Sequence, residues 1–308
     1  MKIAVLYGGI SGEREVSLSS GKGIINALKH NGHDVIGIDF NPDEMEEIIN
    51  LDVDLVFIGL HGKFGEDGRV QGLLDMLKIP YVGSGVLASA LAMDKDKAKQ
   101  IFQTNNIPVA KSHVYSITQH TNINEIVRAI ETSFDTPFVI KPNREGSTLG
   151  LTIVKEKQEI ELALKNALVS DDTILVEDFI DGREVTVPVL GSIGKETALP
   201  VIEIIPKNGF YDYESKYAPG GSEHIIPANV PLEVTKQLQA YAVLAHQLLG
   251  CSTYSRVDFI VTSENVPVIL EVNTLPGMTP TSLFPDAAKA QGWTYEEMIE
   301  IFVNLTIE

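Results

Sequence analysis

Arg256, Asp258, Glu271 and Asn273 are the residues whose spacing points most directly to chemistry. They lie on two apolar runs, 254–261 and 266–273, separated by Thr262-Ser-Glu-Asn265. A two-residue hairpin loop at Glu264-Asn265 would pair Ser263 with Val266, setting Asp258 opposite Glu271 and Arg256 opposite Asn273. Period two then puts all four on one face and Val257, Phe259, Leu270 and Val272 on the other. Carboxylates directly opposite one another repel, so a positive group is expected between them. Two carboxylates and an amide oxygen are hard ligands that suit Mg2+ or Mn2+ beside phosphate. The competing reading is the solvent face of an edge hairpin.

A second group of residues could handle phosphate. The chain has no Gly-x-x-x-x-Gly-Lys-Ser/Thr loop, and Gly8-Gly9-Ile-Ser-Gly12 lacks the spacing of a dinucleotide fingerprint. Lys141-Pro-Asn-Arg-Glu-Gly146-Ser147-Thr-Leu-Gly150 is better placed. A strand ends in lysine there, and backbone N–H groups of the following loop can close over phosphate oxygens; a plain hairpin turn is the alternative. Val176-Glu177-Asp-Phe179-Ile180 offers backbone donors and acceptors beside an apolar slot, with Glu184 in reach of a ribose hydroxyl. Both acids would otherwise be solvated. Glu13 follows the first strand and could hold an ammonium, whereas Glu15 reads as a helix-start acid. His61 could bind a carboxylate or satisfy a loop. The stretch 210–221, with its tyrosines, Lys216, Tyr217 and Gly220-Gly221, reads as a lid. In 274–283, Gly277 could aim its N–H at an oxyanion and Ser282 could bind a carboxylate; a structural turn is the alternative.

These residues need a scaffold. Strand signals at 3–7, 34–39, 55–58 and 81–83 alternate with helix signals at 17–31, 42–50 and 68–77, a pattern that predicts a parallel, helix-covered sheet. Sites on such sheets lie beyond the carboxyl ends of strands, where 8–15 and 61–68 fall. A lysine-bearing helix over 88–105 leads to strands at 138–141, 151–154 and 173–179 and a helix at 157–168. Antiparallel strands are expected from Glu184 onward, at 185–190 and 198–205, before the hairpin. The last helix opens on a capping box, Thr294-x-x-Glu297.

Composition narrows the partners. The 308 residues suffice for two or three packed units. A formal charge of -18, from 24 basic and 42 acidic residues, argues against nucleic acid and anionic membranes. An anionic substrate would need a local lysine cluster or a metal. The single cysteine, Cys251, excludes an internal disulfide and fits a reducing compartment. The opening apolar run is too short for a signal peptide, and no run approaches the roughly 18 apolar residues of a membrane span, so a cytoplasmic location is expected.

Taken in order, Glu13-Arg-Glu-Val-Ser17, Leu60-His-Gly-x-x-Gly-Glu-Asp-Gly68, 141–150, 211–217 and 256–283 resemble the D-alanine–D-alanine ligases of the ATP-grasp superfamily over nearly the whole chain. The resemblance implies an α/β fold, α+β in its C-terminal half, of ATP-grasp architecture. Its divisions would be a Rossmann-like substrate domain at 1–94, a central subdomain at 95–181 and a C-terminal subdomain at 182–308. It implies ATP between the last two and two Mg2+ or Mn2+ ions on Asp258, Glu271 and Asn273. Lys95, Lys141 and the lid's Lys216 would meet phosphates; Glu177, Phe179 and Ile180 would meet adenine; Glu184 would meet ribose. Glu13, tied to Ser147 and Tyr217, would hold the first D-alanine, with His61 beside it. Arg256 and Gly277 would stabilise an oxyanion, and Ser282 and Leu283 would receive the second D-alanine. Tyr217 favours a second alanine, because relatives making D-alanyl-D-lactate look to carry phenylalanine there, or a differently built lid. A homodimer is implied as well. Ligation to another acceptor, a nicotinamide-dependent dehydrogenase and a non-enzymatic nucleotide sensor stand as the alternatives.

Overall fold

The computed structural model describes residues 1–207 and 221–307. Strands β1 (Lys2–Gly8), β2 (Asp34–Phe40), β3 (Leu55–Ile58) and β4 (Tyr81–Val82) form a parallel sheet in the order β2-β1-β3-β4. Helices cover it, which is why Ile3 to Leu6 and Leu55 to Ile58 read as unbroken apolar runs and are buried. Helix Arg14–His30 starts earlier than expected. The helix expected at 42–50 shrinks to Glu46–Ile49, because an Asx turn, Asp43 N–H to Asn41 Oδ1 at 3.1 Å, occupies its first residues. The expected helix at 88–105 is two helices, Val86–Met93 and Lys95–Thr104. Asp94 between them is extended and caps the second by accepting the Lys97 N–H at 3.1 Å, so Lys95 becomes a first-turn residue.

A second sheet holds β5 (Ser112–Ser116), β6 (Phe138–Pro142), β7 (Thr152–Val154) and β8 (Thr173–Asp178) in the order β5-β8-β6-β7. All its pairings are antiparallel, so that pattern begins here and not at Glu184. Strand β5 and helix Ile123–Ser133 carried no expectation. The strand is short and on the sheet edge, where polar residues such as Ser112 and Ser116 mute the alternation.

The third sheet contains β9 (Arg183–Leu190), β10 (Thr197–Ala198), β11 (Ile202–Pro206), β12 (Ser222–Ile225), β13 (Tyr254–Val261) and β14 (Pro267–Asn273). Its order is β12-β11-β9-β13-β14, with β10 on β9. The strand expected at 198–205 splits at Pro200, which has no N–H for a ladder.

Three cores result, and their membership does not follow chain order. The first sheet packs with Leu275, Met278, Phe284 and Phe302 from the chain end. The third sheet packs with Ala98 and Phe102 of helix Lys95–Thr104 and with Leu238 and Ala242 of helix Leu232–Leu249. The second sheet packs with Ile130 and Leu164 of its own helices. The two helices at the chain end therefore anchor the segment 274–283 beside the first sheet. The Thr294–Glu297 capping box is present, at 2.8 and 3.1 Å.

His246 lies in the third sheet's core with Nδ1 2.7 Å from Ser255 Oγ, and burial lowers its pKa to about 4. It is held neutral in the fold, while the unfolded chain protonates it near the ordinary value of 6.5. Below that value the unfolded state binds the extra proton, so stability falls as pH drops from about 6.5 to 4. The loss expected is about 3 kcal/mol. Denaturant unfolding across that window should show it, and His246→Gln should flatten the slope. An unchanged slope would remove His246 as its source.

Candidate functional site

The hairpin brings its polar residues together by a route the alternation did not foresee. Arg256 pairs with Asn273, Val257 with Val272, and Asp258 with Glu271, as expected. The loop, however, is Ser263-Glu264-Asn265, closed by Thr262 N–H to Val266 O at 3.1 Å, with Asn265 at φ 62°. Beyond the site the partners are Phe259 with Ile269 and Ile260 with Val268, so one residue of β14, Leu270, is left over as a bulge. The longer loop and the bulge cancel, and the carboxylates meet. Leu270 is thereby corrected: it does not join Val257, Phe259 and Val272 in the core. Ile269 takes that place, fully buried, and Leu270 faces a cleft with Asp258, Ile260 and Glu271.

That cleft lies between the second and third sheets. Lys141 and Val139 from β6, Glu177 from β8 with Phe179 and Ile180 just past it, and Glu184 from β9 line it. The loop after β6 closes one side with Glu145, Gly146 and Ser147. This loop is anchored at its start: Arg144 binds Asp171 at 2.6 Å, and Asn143 Oδ1 accepts the Asp96 N–H at 2.9 Å. Ser147 and Thr148 follow in the left-handed region, at φ 51° and 64°. Such strain in non-glycine residues concentrates where a side chain must be aimed.

Ser147 aims at Glu13. Its hydroxyl donates to Glu13 Oε1 across the space between the second and first sheets. Glu13 stands at the N-cap of helix Arg14–His30 yet makes no side-chain capping bond; its carboxylate turns inward and is buried. A Cβ on Gly62 or Gly146 would come 2.8 or 2.9 Å from Glu13 Oε2, so both positions need glycine to admit the carboxylate. Glu15 is exposed in the first helical turn, the helix-start role expected of it.

A second cleft continues from the first. Glu13, His61, Glu66, Arg256, Asn273, Gly277, Ser282 and Leu283 line it. The clefts share Gly146, Ser147 and Glu271. His61 gives both nitrogens to the fold: Nδ1–H donates to Leu275 O at 2.9 Å, and Nε2 lies 2.9 Å from Ser20 Oγ. Burial lowers its pKa. Ser282 Oγ accepts the Thr279 N–H at 3.0 Å while facing the cleft.

Positive charge does accompany the paired carboxylates, and the protein supplies it. Arg256 forks onto Asp258, Nε to Oδ1 at 2.9 Å and Nη2 to Oδ2 at 2.8 Å. Asn273 Nδ2 donates to Asp258 Oδ2 at 2.9 Å, and Thr186 Oγ1 donates to Oδ1. Lys95 Nζ lies 3.1 Å from Glu271 Oε2 and donates to Glu145 O at 2.7 Å. Burial works against the Lys95 charge, but Glu271 and its acidic neighbours outweigh it and raise the pKa. Glu177 is shared by two lysines, Lys141 on Oε1 and Lys99 on Oε2. Burial opposes its charge too, yet Lys141 and Lys99 hold its pKa at about 2. Among the described residues no cluster of three or more His, Cys, Asp or Glu could hold a metal. The carboxylates of Asp258 and Glu271 line the first cleft and are hard oxygen donors of the kind Mg2+ or Mn2+ takes. Both Asp258 oxygens, however, accept hydrogen bonds from Arg256 here, with Thr186 on one and Asn273 on the other.

Lys216 and Tyr217 lie outside the described residues. Sequence reasoning missed Glu66, Lys99 and Leu270. Glu66 accepts the Gly62 N–H at 2.7 Å and the Leu275 N–H at 3.1 Å. Burial and the nearby Glu13 carboxylate push its pKa up to about 8. Lys99 shares the buried stripe of Lys95, Ala98 and Phe102, a helical period that was open to inspection.

A family model described as "D-ala D-ala ligase C-terminus" matches residues 101–304, and one described as "D-ala D-ala ligase N-terminus" matches residues 40–84. A D-alanine--D-alanine ligase of Halalkalibacterium halodurans is 61% identical, with both chains covered in full. One of Carboxydothermus hydrogenoformans is 47% identical over 100% of this chain and 99% of its own. Among solved structures, the VanG D-Ala:D-Ser ligase of Enterococcus faecalis superposes with a TM-score of 0.85 at 36% identity, covering 99% of each chain. A Bacillus anthracis D-alanine--D-alanine ligase complexed with ATP gives 0.81 at 32% identity, over 100% of this chain and 97% of that one.

Proposed function

The chain belongs to the D-alanine–D-alanine ligase family, and we propose that its joined clefts bind ATP and two D-alanines and make D-alanyl-D-alanine through a D-alanyl phosphate. The product serves peptidoglycan synthesis. The observation that carries the mechanism is the meeting of the clefts at Glu271, Gly146 and Ser147, where a phosphate from one side can reach a carboxylate from the other.

ATP occupies the first cleft, adenine against Phe179, Ile180 and Leu270 beside Glu177, ribose near Glu184, and phosphates near Lys95 and Lys141. Glu13, aimed by Ser147, holds the first D-alanine's ammonium, with His61 behind it. That substrate's carboxylate attacks the γ-phosphorus, and ADP leaves. Both partners are anionic, so lysine charge is needed to bring them together. Asp258, Glu271 and Asn273 would hold Mg2+ or Mn2+, which supplies further neutralisation of phosphate oxygens. The second D-alanine, its carboxylate at Ser282 and Leu283, attacks the acyl carbonyl with its amine. Arg256 and the Gly277 N–H stabilise the resulting oxyanion, and phosphate departs. Lys216 and Tyr217 take the lid roles that the family resemblance implies, excluding water from the acyl phosphate. A cytoplasmic homodimer completes the proposal; no helix among the described residues is long and apolar enough to cross a membrane.

ADP release should depend on D-alanine and not on L-alanine. D-lactate or D-serine offered as acceptor beside one D-alanine should give little mixed product. Turnover preferring either acceptor would replace the proposed second substrate; no D-alanine dependence at all would end the ligase reading.

The bulge has its own consequence. Leu270→Ala is expected to weaken ATP binding about tenfold, since an apolar side chain of this size contributes about 1.5–3 kcal/mol when fully covered. It should leave the fold nearly as stable. Ile269→Ala, one residue away, should instead cost about 2–5 kcal/mol of stability. If Leu270→Ala behaves like Ile269→Ala in denaturation, the bulge is misplaced.

A further inference from the structure

Lys99 is a buried lysine with no part in the mechanism above; burial, and then the neighbouring Lys141, push its pKa down, and the ion pair with Glu177 is what holds its proton on. It sits on the buried face of helix Lys95–Thr104, four residues beyond Lys95, and does not line the first cleft. Its ammonium binds Glu177 Oε2, while Lys141, which does line the cleft, binds Oε1 of the same carboxylate. Apart from Glu177, the Lys99 ammonium has a long contact to Ala110 O at 3.4 Å. Glu177 thus has one lysine on its cleft side and one behind it.

This arrangement poses a problem for the ATP reading, on which the inference rests. Lys141 cannot serve phosphate fully while it remains clamped to Glu177. Were Glu177 to depend on Lys141 alone, drawing that lysine toward phosphate would strand a buried carboxylate, which is strongly unfavourable. We propose that Lys99 is the standing counter-charge of Glu177, a positioning residue that lets Lys141 move to the phosphates when nucleotide enters. The buried pair Lys99–Glu177 stays neutral through the cycle, and Lys141 is the exchangeable member.

The proposal predicts a dependence on background. Lys99→Met should raise the Kd for ATP by at least about tenfold, because each ATP that engages Lys141 then uncovers Glu177. The kcat at saturating ATP should stay within about threefold, since Lys141 reaches phosphate once ATP is bound. In a Glu177→Gln background the carboxylate needs no counter-charge, so adding Lys99→Met should leave the Kd of Glu177→Gln unchanged. A merely structural lysine would weaken binding in both backgrounds. Calorimetric titration of ATP into the four proteins gives the result directly. Lys99→Gln, which keeps a polar donor without charge, should follow Lys99→Met, and it decides the matter if the methionine variant does not fold. An equal rise in both backgrounds, or none in the wild-type background, overturns the proposal. Wild-type turnover of D-alanine, measured alongside, separates that failure from failure of the ligase reading.

Discussion

Arg256→Ala is expected to slow D-alanyl-D-alanine formation by about 10²–10³-fold, the usual effect of losing one oxyanion donor. ATP affinity should change far less, because Arg256 lines the second cleft and not the first. Its fork onto Asp258 fixes the guanidinium plane, so the change removes an oriented donor as well as a charge. Lysine cannot reproduce that fork, and Arg256→Lys should recover little. Single-turnover measurement of ADP and of dipeptide separates the steps. ADP formed at a near-normal rate with dipeptide lagging places Arg256 in the second step; near-normal dipeptide formation removes it from the chemistry.

Glu271→Gln should be more damaging still, with turnover down by about 10³-fold or more, since one carboxylate then fails both clefts. Glu271 is the acidic residue the two clefts share, and its oxygen faces Lys95 at 3.1 Å. Losing its charge removes a hard ligand and leaves the Lys95 ammonium without its carboxylate, so the phosphate site shifts as well. The divalent-cation concentration for half-maximal turnover should rise by about tenfold or more, as metal sites respond even to changes beyond their ligands. Titrating Mg2+ and Mn2+ against ADP release measures this. An unchanged half-saturation point would show that Glu271 does not hold the cation, whatever happens to the rate. A thermal melt in the absence of nucleotide reads the Lys95 contribution separately.

Much of the site could be read from residue types and spacing because strands have a period of two. The alternation around Asp258 and Glu271 predicted that those acids share a face, and they do, although a three-residue loop and a bulge that offset one another bring them there. The parallel first sheet was equally legible, since strands buried on both faces leave unbroken apolar runs. The Ser147–Glu13 link was suggested by family resemblance alone; no local pattern relates residues so far apart in the chain. Strand β5 escaped notice because a short edge strand has little alternation to show.

Local rules therefore decided which residues are polar, which faces they occupy and which loops carry glycine. They could not decide where Leu270 points, because one bulged residue reverses every later side chain, and only packing of the whole sheet selects its position. Nor could they reveal that Glu177 is gripped by two lysines, or that the chain end returns to the first sheet. Those contacts join segments far apart in sequence, and burial in a low-dielectric interior gives their charges their weight.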